Sequence, residues 1–422
     1  MKIAFFCPHS DPLARPGEPD SGGQCVYEAR VAAALTTQGH EVRCYTRYYG
    51  DKLEHEAIDE PGQAMVLRYP MGPEGFLRKE DMGPYLAEFT QRVVSDQRSW
   101  LEAADSFHGH YWDGGGAALG AAIALGKPLV FTSHSLGALK RERVPDKTAD
   151  GSGFRYHIRI PAERRILHAA DRIIALSQVE RNALSDLYHT EPSKIAIVPG
   201  GVDIEAFAPK ETKTVLKQRL GIETDFLVFT VGRLDPRKGF FELVAAIPHV
   251  VESLRRVNKT VTFLLPAGPE HPSAEELAYK QIMQAEAEAQ NVASHIQWFP
   301  RLSDEDLKTR YAAADVFVCP SPYEPFGLVL VEAFASGTPV VATSHGGPRE
   351  IVTAGVDGYL AEPSDMKAFA GRIVDILEQG DARRAEMAEA AVAKAKEQYA
   401  WSSVSRRIAE VYEQAATAYR LS

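Results

Sequence analysis

Residues 226–268 read FLVFTVGRLDPRKGFFELVAAIPHVVESLRRVNKTVTFLLPAG and predict a β-strand, a helix and a second β-strand in succession. Short apolar runs, FLVF and TFLL, stand near the two ends, and a longer amphipathic run separates them. Strands that are buried on both faces of a parallel sheet are apolar along their whole length, as these two runs are. The stretch therefore predicts a βαβ unit, in which two parallel strands share one sheet and the helix covers a face of it.

The same alternation recurs along most of the chain. The other predicted strands are KIAFF, EVRCYT, MVLRY, DSFHGHY, PLVFTSH, RIIALS and KIAIVPGGV before this unit, and HIQWF, DVFVCPS, PVVATS and GYLAEP after it. The segment GGVDIEAFAPKETKT lies between the two series and predicts a domain boundary, because it is rich in glycine, proline and charge. We expect an α/β fold of two Rossmann-like, doubly wound parallel-sheet domains. These domains comprise residues 1–207 and 208–401, and a C-terminal helix of about 402–422 can pack back on the first.

Length and composition limit the possible functions. A chain of 422 residues with 45% hydrophobic content is too long for one hydrophobic core and long enough for two. The formal net charge of -10 argues against nucleic acid as a partner, because such binding depends on neutralising phosphates. The cysteines show no metal or disulfide spacing, which fits reduced core residues in a cytoplasmic protein. No apolar run approaches the ~18 residues of a membrane span, so we expect a soluble protein without a membrane partner.

Glycine-rich turns follow two of the predicted strands. Gly22 and Gly23 precede a helix whose N–H groups suit an anion, although a tight turn alone also needs glycine. Gly114, Gly116 and Gly120 resemble a loose dinucleotide fingerprint. That fingerprint requires an acidic residue at the end of the following strand. Here the strand LVFTSHS ends in Thr132, Ser133 and His134 instead. A complete fingerprint would indicate a nicotinamide-dependent dehydrogenase, and its missing acidic residue argues against that class of enzyme.

Histidines mark two further strands of the N-terminal half. His108 and His110 point to one side of a strand and could ligate zinc. No matching Cys or carboxylate cluster is near them in the sequence, so packed or hydrogen-bonded histidines are the favoured interpretation. His134 and Ser135 lie at another strand end, and Lys140 follows about one turn later, which makes this cluster a site candidate.

The segment from Lys140 to Arg165 is basic, with eight Lys or Arg residues and four Asp or Glu residues. Most of these charges are expected on a solvated helix face. One or two suit a phosphate-bearing small molecule, because an anionic ligand needs fixed donors in fork geometry. A membrane surface is the alternative, but the segment lacks the broad apolar face that such helices carry.

Two motifs of the C-terminal half bring cations and carboxylates to strand ends. VGRLDPRKG supplies Arg233 and Lys238, a pair that could clamp a diphosphate. SPYEPFGLVLVEAFASGTPVVAT carries Glu324 and Glu332, and it begins a helix near Phe326 whose free N–H groups suit phosphate oxygens. Buried carboxylates without partners are costly, so either Lys or Arg side chains pair with them or sugar hydroxyls do.

Together with SHGGPREIV and GVDGYLAEPSD, these C-terminal motifs resemble those of the retaining, nucleotide-sugar-dependent glycosyltransferases of family 4. The resemblance implies the GT-B fold, in which two Rossmann-like, doubly wound parallel-sheet domains face a central cleft. In the N-terminal half, DSGGQCVYEARVAAAL, FLRKEDMGPYLAEF, HYWDGGG and TSHSLGALK are similar to segments of sucrose-phosphate synthases, which move glucose from UDP-glucose to fructose 6-phosphate. Mannosylfructose-phosphate synthases share much of this pattern and use GDP-mannose. A membrane-surface lipid glycosyltransferase fits the C-terminal half equally well, and a non-catalytic nucleotide-sugar-binding protein would also keep Arg233 and Glu332.

The resemblance implies a role for each matching position. Arg233 and Lys238 would hold the donor diphosphate. Glu324 would touch the donor sugar, and His134 would contact that sugar near its 6-hydroxyl, which completes the implied catalytic set. The further positions implied for the donor are Gly23, Phe326, Gly327, Leu328 and Glu332, the last of which would bind the ribose hydroxyls. The positions implied for the acceptor are Gly22, Gln24, Lys79, Tyr111, Ser135, Lys140, Arg155 and Arg159.

The implied reaction retains the anomeric configuration and uses no enzyme nucleophile, no metal and no cofactor, with UDP-glucose as co-substrate. Arg233, Lys238 and a helix N-terminus would neutralise the departing UDP. The products would be sucrose 6-phosphate and UDP, and a separate phosphatase would then remove the phosphate. The expected partners are therefore UDP-glucose and fructose 6-phosphate, and neither nucleic acid nor a membrane.

Overall fold

Two compact units make up the fold. The computed structural model describes residues 1–14, 22–50, 52–58, 63–143, 153–270, 272–322, 324, 326–362 and 364–421. The first unit comprises Met1–Gly200 together with the C-terminal segment that begins at Trp401, and the second comprises Gly201–Ala400. Each unit contains one sheet with helices between most successive strands, which confirms the prediction of two Rossmann-like α/β domains.

The first unit has an eight-stranded sheet in the order β3-β4-β2-β1-β5-β6-β7-β8. Its strands are β1 Lys2–Phe6, β2 Glu41–Arg47, β3 His55–Ala57, β4 Ala64–Tyr69, β5 Ser106–His110, β6 Leu129–Thr132, β7 Arg172–Ala175 and β8 Ile195–Ile197. Its helices up to residue 200 are α1 Gly23–Thr36, α2 Leu86–Asp96, α3 Arg98–Glu102, α4 Tyr111–Leu125, α5 Gly137–Arg143, α6 Tyr156–Ala169 and α7 Gln178–Tyr188. Neighbouring strands pair in parallel except β3 with β4. The sequence did not predict β3, because this short edge strand has no apolar pattern.

The second unit has a parallel six-stranded sheet in the order β11-β10-β9-β12-β13-β14. Its strands are β9 Phe226–Phe229, β10 Val261–Pro266, β11 Ile296–Phe299, β12 Val316–Cys319, β13 Val340–Thr343 and β14 Gly358–Ala361. Its helices are α8 Ile204–Phe207, α9 Lys213–Arg219, α10 Phe240–Arg256, α11 Ala274–Ala289, α12 Asp304–Ala313, α13 Leu328–Ala335, α14 Pro348–Ile351, α15 Met366–Glu378 and α16 Asp381–Lys394. The strands β9, β12 and β13 are buried throughout, which explains their continuous apolar runs. No helix in the described part of the chain is both long and apolar enough to cross a membrane.

The boundary between the units lies before the predicted one at 207/208. Val202 pairs in parallel with Ala400, and the side chain of Asp203 accepts the backbone N–H of Ala206 to cap α8. The ring of Phe207 at the end of α8 packs 5.9 Å from that of Tyr311. These contacts assign residues 201–207 to the second unit, whereas the predicted boundary placed them in the first domain.

The C-terminal helix α17, Trp401–Leu421, packs on the first unit. The hydroxyl of Tyr412 lies 2.8 Å from Nδ1 of the buried His108 in β5. The amide of Gln38 donates to the hydroxyl of Ser405 at 2.5 Å. The helix therefore packs against the sheet of the first unit.

Two glycines in the first turns of α4 allow close packing of this helix against the sheet. A Cβ at Gly114 would lie 2.1 Å from the carbonyl oxygen of Phe6 in β1, and one at Gly115 would lie 2.6 Å from the ring of Phe131 in β6. Helix α4 therefore lies directly against the sheet because these positions carry no side chain. This packing accounts for Gly114, the first of the three glycines that resembled a dinucleotide fingerprint.

Candidate functional site

In the second unit, a lysine pairs with a carboxylate at one edge of the sheet. Lys238 ends the 3-10 turn Pro236–Lys238 after β9, and Glu324 lies in the segment after β12. Because β9 and β12 are parallel neighbours, both segments leave the sheet at its carboxyl edge. Nζ of Lys238 donates to Oε2 of Glu324 at 2.9 Å. The charge of Glu324 raises the pKa of Lys238, which keeps the lysine protonated at neutral pH.

Local contacts fix the turn that carries this lysine. Oδ1 of Asp235 accepts the backbone N–H of Arg237 at 2.9 Å. Gly239 ends the turn with a φ of 71°, and a Cβ there would lie 2.1 Å from the carbonyl oxygen of Pro320. Glycine is therefore required for the turn to approach the chain that leaves β12. Arg233, the other predicted cation of this loop, is exposed.

The segment after β12 leads directly into α13. The carbonyl oxygen of Glu324 accepts the backbone N–H of Gly347 at 2.9 Å, which fixes the main chain beside the glutamate. Phe326 is buried, and Gly327 precedes α13 with a φ of 105° in the left-handed region. The predicted positions Phe326, Gly327 and Leu328 therefore form the entry to α13, as the sequence predicts.

Glu332 lies within α13 and has a partner that the sequence did not predict. The hydroxyl of Tyr311 donates to Oε2 of Glu332 at 2.9 Å. Burial raises the pKa of Tyr311, and the neighbouring glutamate raises it further, so the phenol remains a donor. The sequence left open whether these carboxylates pair with Lys or Arg side chains or with sugar hydroxyls. Within the protein, Glu324 pairs with Lys238, whereas Glu332 accepts a hydrogen bond from Tyr311.

In the first unit, two predicted site residues have left-handed backbone conformations. Tyr111 directly follows β5 with a φ of 63°, and His134 follows β6 with a φ of 52°. Residues other than glycine adopt this region at an energetic cost, and such residues concentrate at functional sites. Both residues lie at the carboxyl edge of adjacent parallel strands.

A cluster of histidines lies beneath this edge. His108 contacts Tyr412, and its Nε2 lies 2.8 Å from the hydroxyl of Thr132. Nδ1 of His110 lies 2.9 Å from Nε2 of His134. Burial lowers the pKa of His108 to about 3 and lowers the pKa values of His110 and His134 well below the usual range. All three imidazoles are therefore neutral at pH 7, in agreement with the interpretation of His108 and His110 as hydrogen-bonded histidines.

One carboxylate joins this cluster from a distant part of the sequence. Glu28 of α1, with His110 and His134, forms a group whose potential metal-ligand atoms all lie within 4.8 Å of one another. The oxygens of Glu28 also accept from the hydroxyl of Ser10 at 2.7 Å and from the amide of Gln24 at 2.9 Å. Burial raises the pKa of Glu28 well above its usual range, which favours the neutral acid. Among the described residues, Nε2 of His110 is buried without a hydrogen-bond partner.

Three predicted acceptor residues meet around a buried guanidinium. Nε of Arg159 donates to Oε1 of Glu163 at 2.7 Å, and another nitrogen of Arg159 donates to the carbonyl oxygen of Ser135. The guanidinium carbon lies 4.4 Å from the ring centroid of Tyr111. Burial opposes the charge of Arg159, but Glu163 outweighs burial and raises the pKa. Arg159 is therefore a permanent cation with partners inside the protein.

The other predicted acceptor cations lie around a neighbouring loop. Arg155 donates to Oδ1 of Asp81 at 2.6 Å, and Asp81 shares the 3-10 turn Lys79–Asp81 with Lys79. Nζ of Lys140 lies 3.8 Å from the ring centroid of Phe154. The structure thus brings Arg155 to the turn of Lys79, and it brings Lys140 to the residue that precedes Arg155.

The predicted positions 22–24 lie at the start of α1. Gly22 has an extended backbone with a φ of −179°, and α1 begins at Gly23. The amide of Gln24 donates to Glu28, so this side chain belongs to the histidine and carboxylate cluster.

Sequence reasoning missed the ionic contacts of the loop after β1. Nδ1 of His9 lies 2.9 Å from Oδ1 of Asp113, and Asp11 accepts from Nε of the buried Arg68 at 2.8 Å. The partners are far apart in the sequence, and no single one of them differs from an ordinary polar residue, so the sequence does not indicate the contacts. The only sequence signal was the polar run HSD directly after a buried strand.

Comparisons with known proteins place these features in a family. Residues 21–206 match the family described as Glycosyltransferase Family 4, and residues 212–397 match the family described as Glycosyl transferases group 1. The D-inositol 3-phosphate glycosyltransferase of Thermobispora bispora is 32% identical over 416 residues, which cover 98% of this chain and 95% of that protein.

Solved structures of similar fold extend over nearly the whole chain. The sucrose-phosphate synthase of Thermosynechococcus elongatus matches with a TM-score of 0.84 at 26% identity, covering 98% of each chain. Anabaena HepE in complex with UDP-glucose matches with a TM-score of 0.72 at 21% identity, covering 97% of this chain and 98% of that one. The two Rossmann-like units, the paired family matches and the full-length similarity show that the chain belongs to the family 4, group 1 glycosyltransferases of GT-B fold.

Proposed function

We propose that the chain is a retaining, metal-independent glycosyltransferase that moves glucose from UDP-glucose to fructose 6-phosphate, giving sucrose 6-phosphate and UDP. The observation that carries the proposal is the Lys238–Glu324 pair, with Arg233 on the same loop, at the carboxyl edge of a parallel sheet. Ligands of open α/β sheets bind at that edge. Similarity to a sucrose-phosphate synthase over 98% of both chains supports the choice of substrates.

On the donor side, Arg233 and Lys238 bind the diphosphate and stabilise the charge that develops on departing UDP. Glu324 keeps Lys238 protonated before the donor binds. When the diphosphate takes over Lys238, Glu324 becomes available to accept from hydroxyls of the donor sugar. The main chain at the start of α13 contacts the phosphate and sugar, and Glu332 accepts the ribose hydroxyls.

His134 contacts the donor sugar near its 6-hydroxyl as a neutral imidazole, because burial lowers its pKa. The acceptor hydroxyl attacks the anomeric carbon on the face that the phosphate leaves. As the new carbon–oxygen bond forms, the bond to the phosphate breaks and the phosphate oxygen takes the hydroxyl proton. Positioning of the two substrates and neutralisation of UDP supply the rate enhancement.

On the acceptor side, the phosphate of fructose 6-phosphate requires cations that are within reach. Arg159 is already bonded to Glu163 and Ser135, which favours a role in shaping the site beside Tyr111. Lys79, Lys140 and Arg155 are only partly buried, so a phosphate can approach their side chains, and Arg155 would exchange its contact with Asp81 for the phosphate. We assign the phosphate to these three residues, with Gly22 and Gln24 near the sugar.

A second candidate acceptor is an inositol phosphate. Relatives named D-inositol 3-phosphate glycosyltransferases are 32% identical over 98% of this chain, a higher identity than that of the sucrose-phosphate synthase. Both acceptors are ring polyols with one phosphate, so the same cations suit both.

A matrix of donors and acceptors separates the candidates. UDP-glucose, ADP-glucose and GDP-mannose are each incubated with fructose 6-phosphate, fructose and inositol 3-phosphate, and nucleotide release and product mass are read. Transfer from UDP-glucose to fructose 6-phosphate alone is the expected result. Transfer to inositol 3-phosphate alone would replace the proposal with the second candidate, and transfer from GDP-mannose would indicate a mannosylfructose-phosphate synthase.

A further inference from the structure

We propose that Glu180 and Glu163 are positioning residues, which hold the two ends of loop 133–137 in the conformation that glycosyl transfer requires. The inference rests on the proposed function, because it takes this loop to present His134 to the donor sugar and Ser135 to the acceptor. The loop connects β6 to α5, and neither glutamate belongs to the set that the sequence predicted.

A buried carboxylate binds each end of the loop. At the first end, the hydroxyl of Ser133 donates to Oε1 of Glu180, whose Oε2 accepts the backbone N–H of Leu176 at 2.6 Å. At the second end, the backbone N–H of Gly137 donates to Oε2 of Glu163 at 3.0 Å. Both glutamates are buried. The loop is therefore fixed by two carboxylates that come from different helices, α7 and α6.

A third contact fixes the middle of the same loop. Arg159, which is held by Glu163, donates to the carbonyl oxygen of Ser135. Glu163 thus acts on the loop twice, directly at Gly137 and through the guanidinium at Ser135.

Between these contacts lies the strained backbone of His134, with a φ of 52°. Its side chain contacts His110, and its ring centroid lies 5.1 Å from that of Tyr27. A left-handed conformation of a residue other than glycine persists only where the surroundings impose it. The carboxylates supply such surroundings, because they fix the chain on both sides of the strained residue.

Stability alone does not explain these glutamates. Buried charged groups are weak evidence for stability, because apolar residues of similar volume often stabilise a fold equally well, and in some proteins such groups instead fix a geometry. The sequence from Ser177 to Glu180 also fits a capping box, in which the glutamate would bind the N–H of the capping serine. Glu180 instead accepts from Leu176 and Ser133, so its side chain connects α7 to the loop.

The test uses the contact between Ser133 and Glu180, because loss of Glu163 would leave a buried guanidinium unpaired and could prevent folding. Ser133→Ala, Glu180→Gln and the double variant are compared with wild type in the full chain. The matched control is Asp171→Asn, since Asp171 accepts the backbone N–H of Leu129 at 2.8 Å at the opposite end of β6. Steady-state kinetics, the thermal midpoint and amide exchange of residues 134–137 are measured for each.

If the glutamate positions the loop, each single variant lowers kcat by roughly tenfold or more, since small displacements of reacting groups have large effects. The effect of the double variant should be smaller than the product of the two single effects, because Ser133→Ala removes the same hydrogen bond that Glu180→Gln weakens. Asp171→Asn should lower the thermal midpoint and leave kcat close to that of wild type. Variants that lose only thermal stability, or whose effects on kcat add, would overturn the proposal.

The failure of this inference can be distinguished from failure of the proposed substrates. If wild type does not act on fructose 6-phosphate, the substrate proposal fails, and amide exchange then decides the role of the glutamate. Faster exchange of residues 134–137 in Ser133→Ala and Glu180→Gln, but not in Asp171→Asn, supports the positioning role. Unchanged exchange in these variants overturns it.

Discussion

Lys238 shows how a single residue can combine a local role with a chemical one. Its side chain neutralises Glu324, and the same contact keeps the lysine charged for the diphosphate that we propose it binds. The sequence predicted both residues and placed them at strand ends, but it did not show that they bond to each other. That contact depends on the adjacency of β9 and β12, which are about 90 residues apart in the chain and meet only in the folded sheet.

We expect Lys238→Ala to lower kcat by about a hundredfold, because it removes one preorganised positive charge from the leaving group. Arg237→Ala is the matched control, since Arg237 lies on the same turn, is exposed and pairs with Asp235. The measurement is the initial rate of UDP release at saturating substrates. An unchanged kcat in Lys238→Ala would remove this residue from the mechanism.

We expect Lys140→Ala to raise KM for fructose 6-phosphate much more than KM for UDP-glucose, because we assign this charge to the acceptor phosphate. Arg141→Ala provides the control, as Arg141 is an exposed cation of the same helix. Varying each substrate in turn at a saturating level of the other gives both constants. Equal increases in the two KM values would assign Lys140 a structural role.

At the scale of elements, the contact between α4 and the sheet has a direct test. Gly114→Ala should lower the free energy of unfolding by about 1–3 kcal/mol, because the new Cβ would overlap the carbonyl oxygen of Phe6. Gly116→Ala should leave stability unchanged or raise it by up to ~1 kcal/mol, because its Cβ would lie 3.4 Å from Leu86 and alanine favours the helix. Urea unfolding of both variants measures the difference. Equal stabilities would contradict the packing explanation for these glycines.

His108, a buried residue of β5 that contacts α17, predicts a pH dependence of stability. Burial lowers the pKa of His108 to about 3, whereas an exposed histidine titrates near 6.5. Between these values the unfolded chain binds the additional proton, so the stability contributed by His108 is lost as the pH falls below about 6.5. From about pH 7 to about pH 5, wild type should lose roughly 2 kcal/mol more than His108→Gln. Equal losses in urea unfolding would show that His108 does not titrate in this range.

At the scale of the whole molecule, the sequence predicted those features of the fold and the site that depend on local patterns of residues. The apolar runs identified the parallel strands, and the loop cations and helix carboxylates identified the edge of the second sheet. The sequence could not predict contacts that need two distant elements, such as Tyr311 with Glu332 or Ser133 with Glu180. The predicted boundary at 207/208 also put residues 201–207 in the first domain, although they belong to the second unit, in which Val202 pairs with Ala400.

The most direct test of the account is the product formed from UDP-glucose by the full chain with fructose 6-phosphate or with fructose, measured by mass at equal acceptor concentrations. We predict a disaccharide phosphate and stoichiometric UDP with fructose 6-phosphate, and negligible transfer to fructose. Equal transfer to both acceptors would contradict a role for the acceptor phosphate. No disaccharide phosphate from fructose 6-phosphate would contradict the proposed reaction.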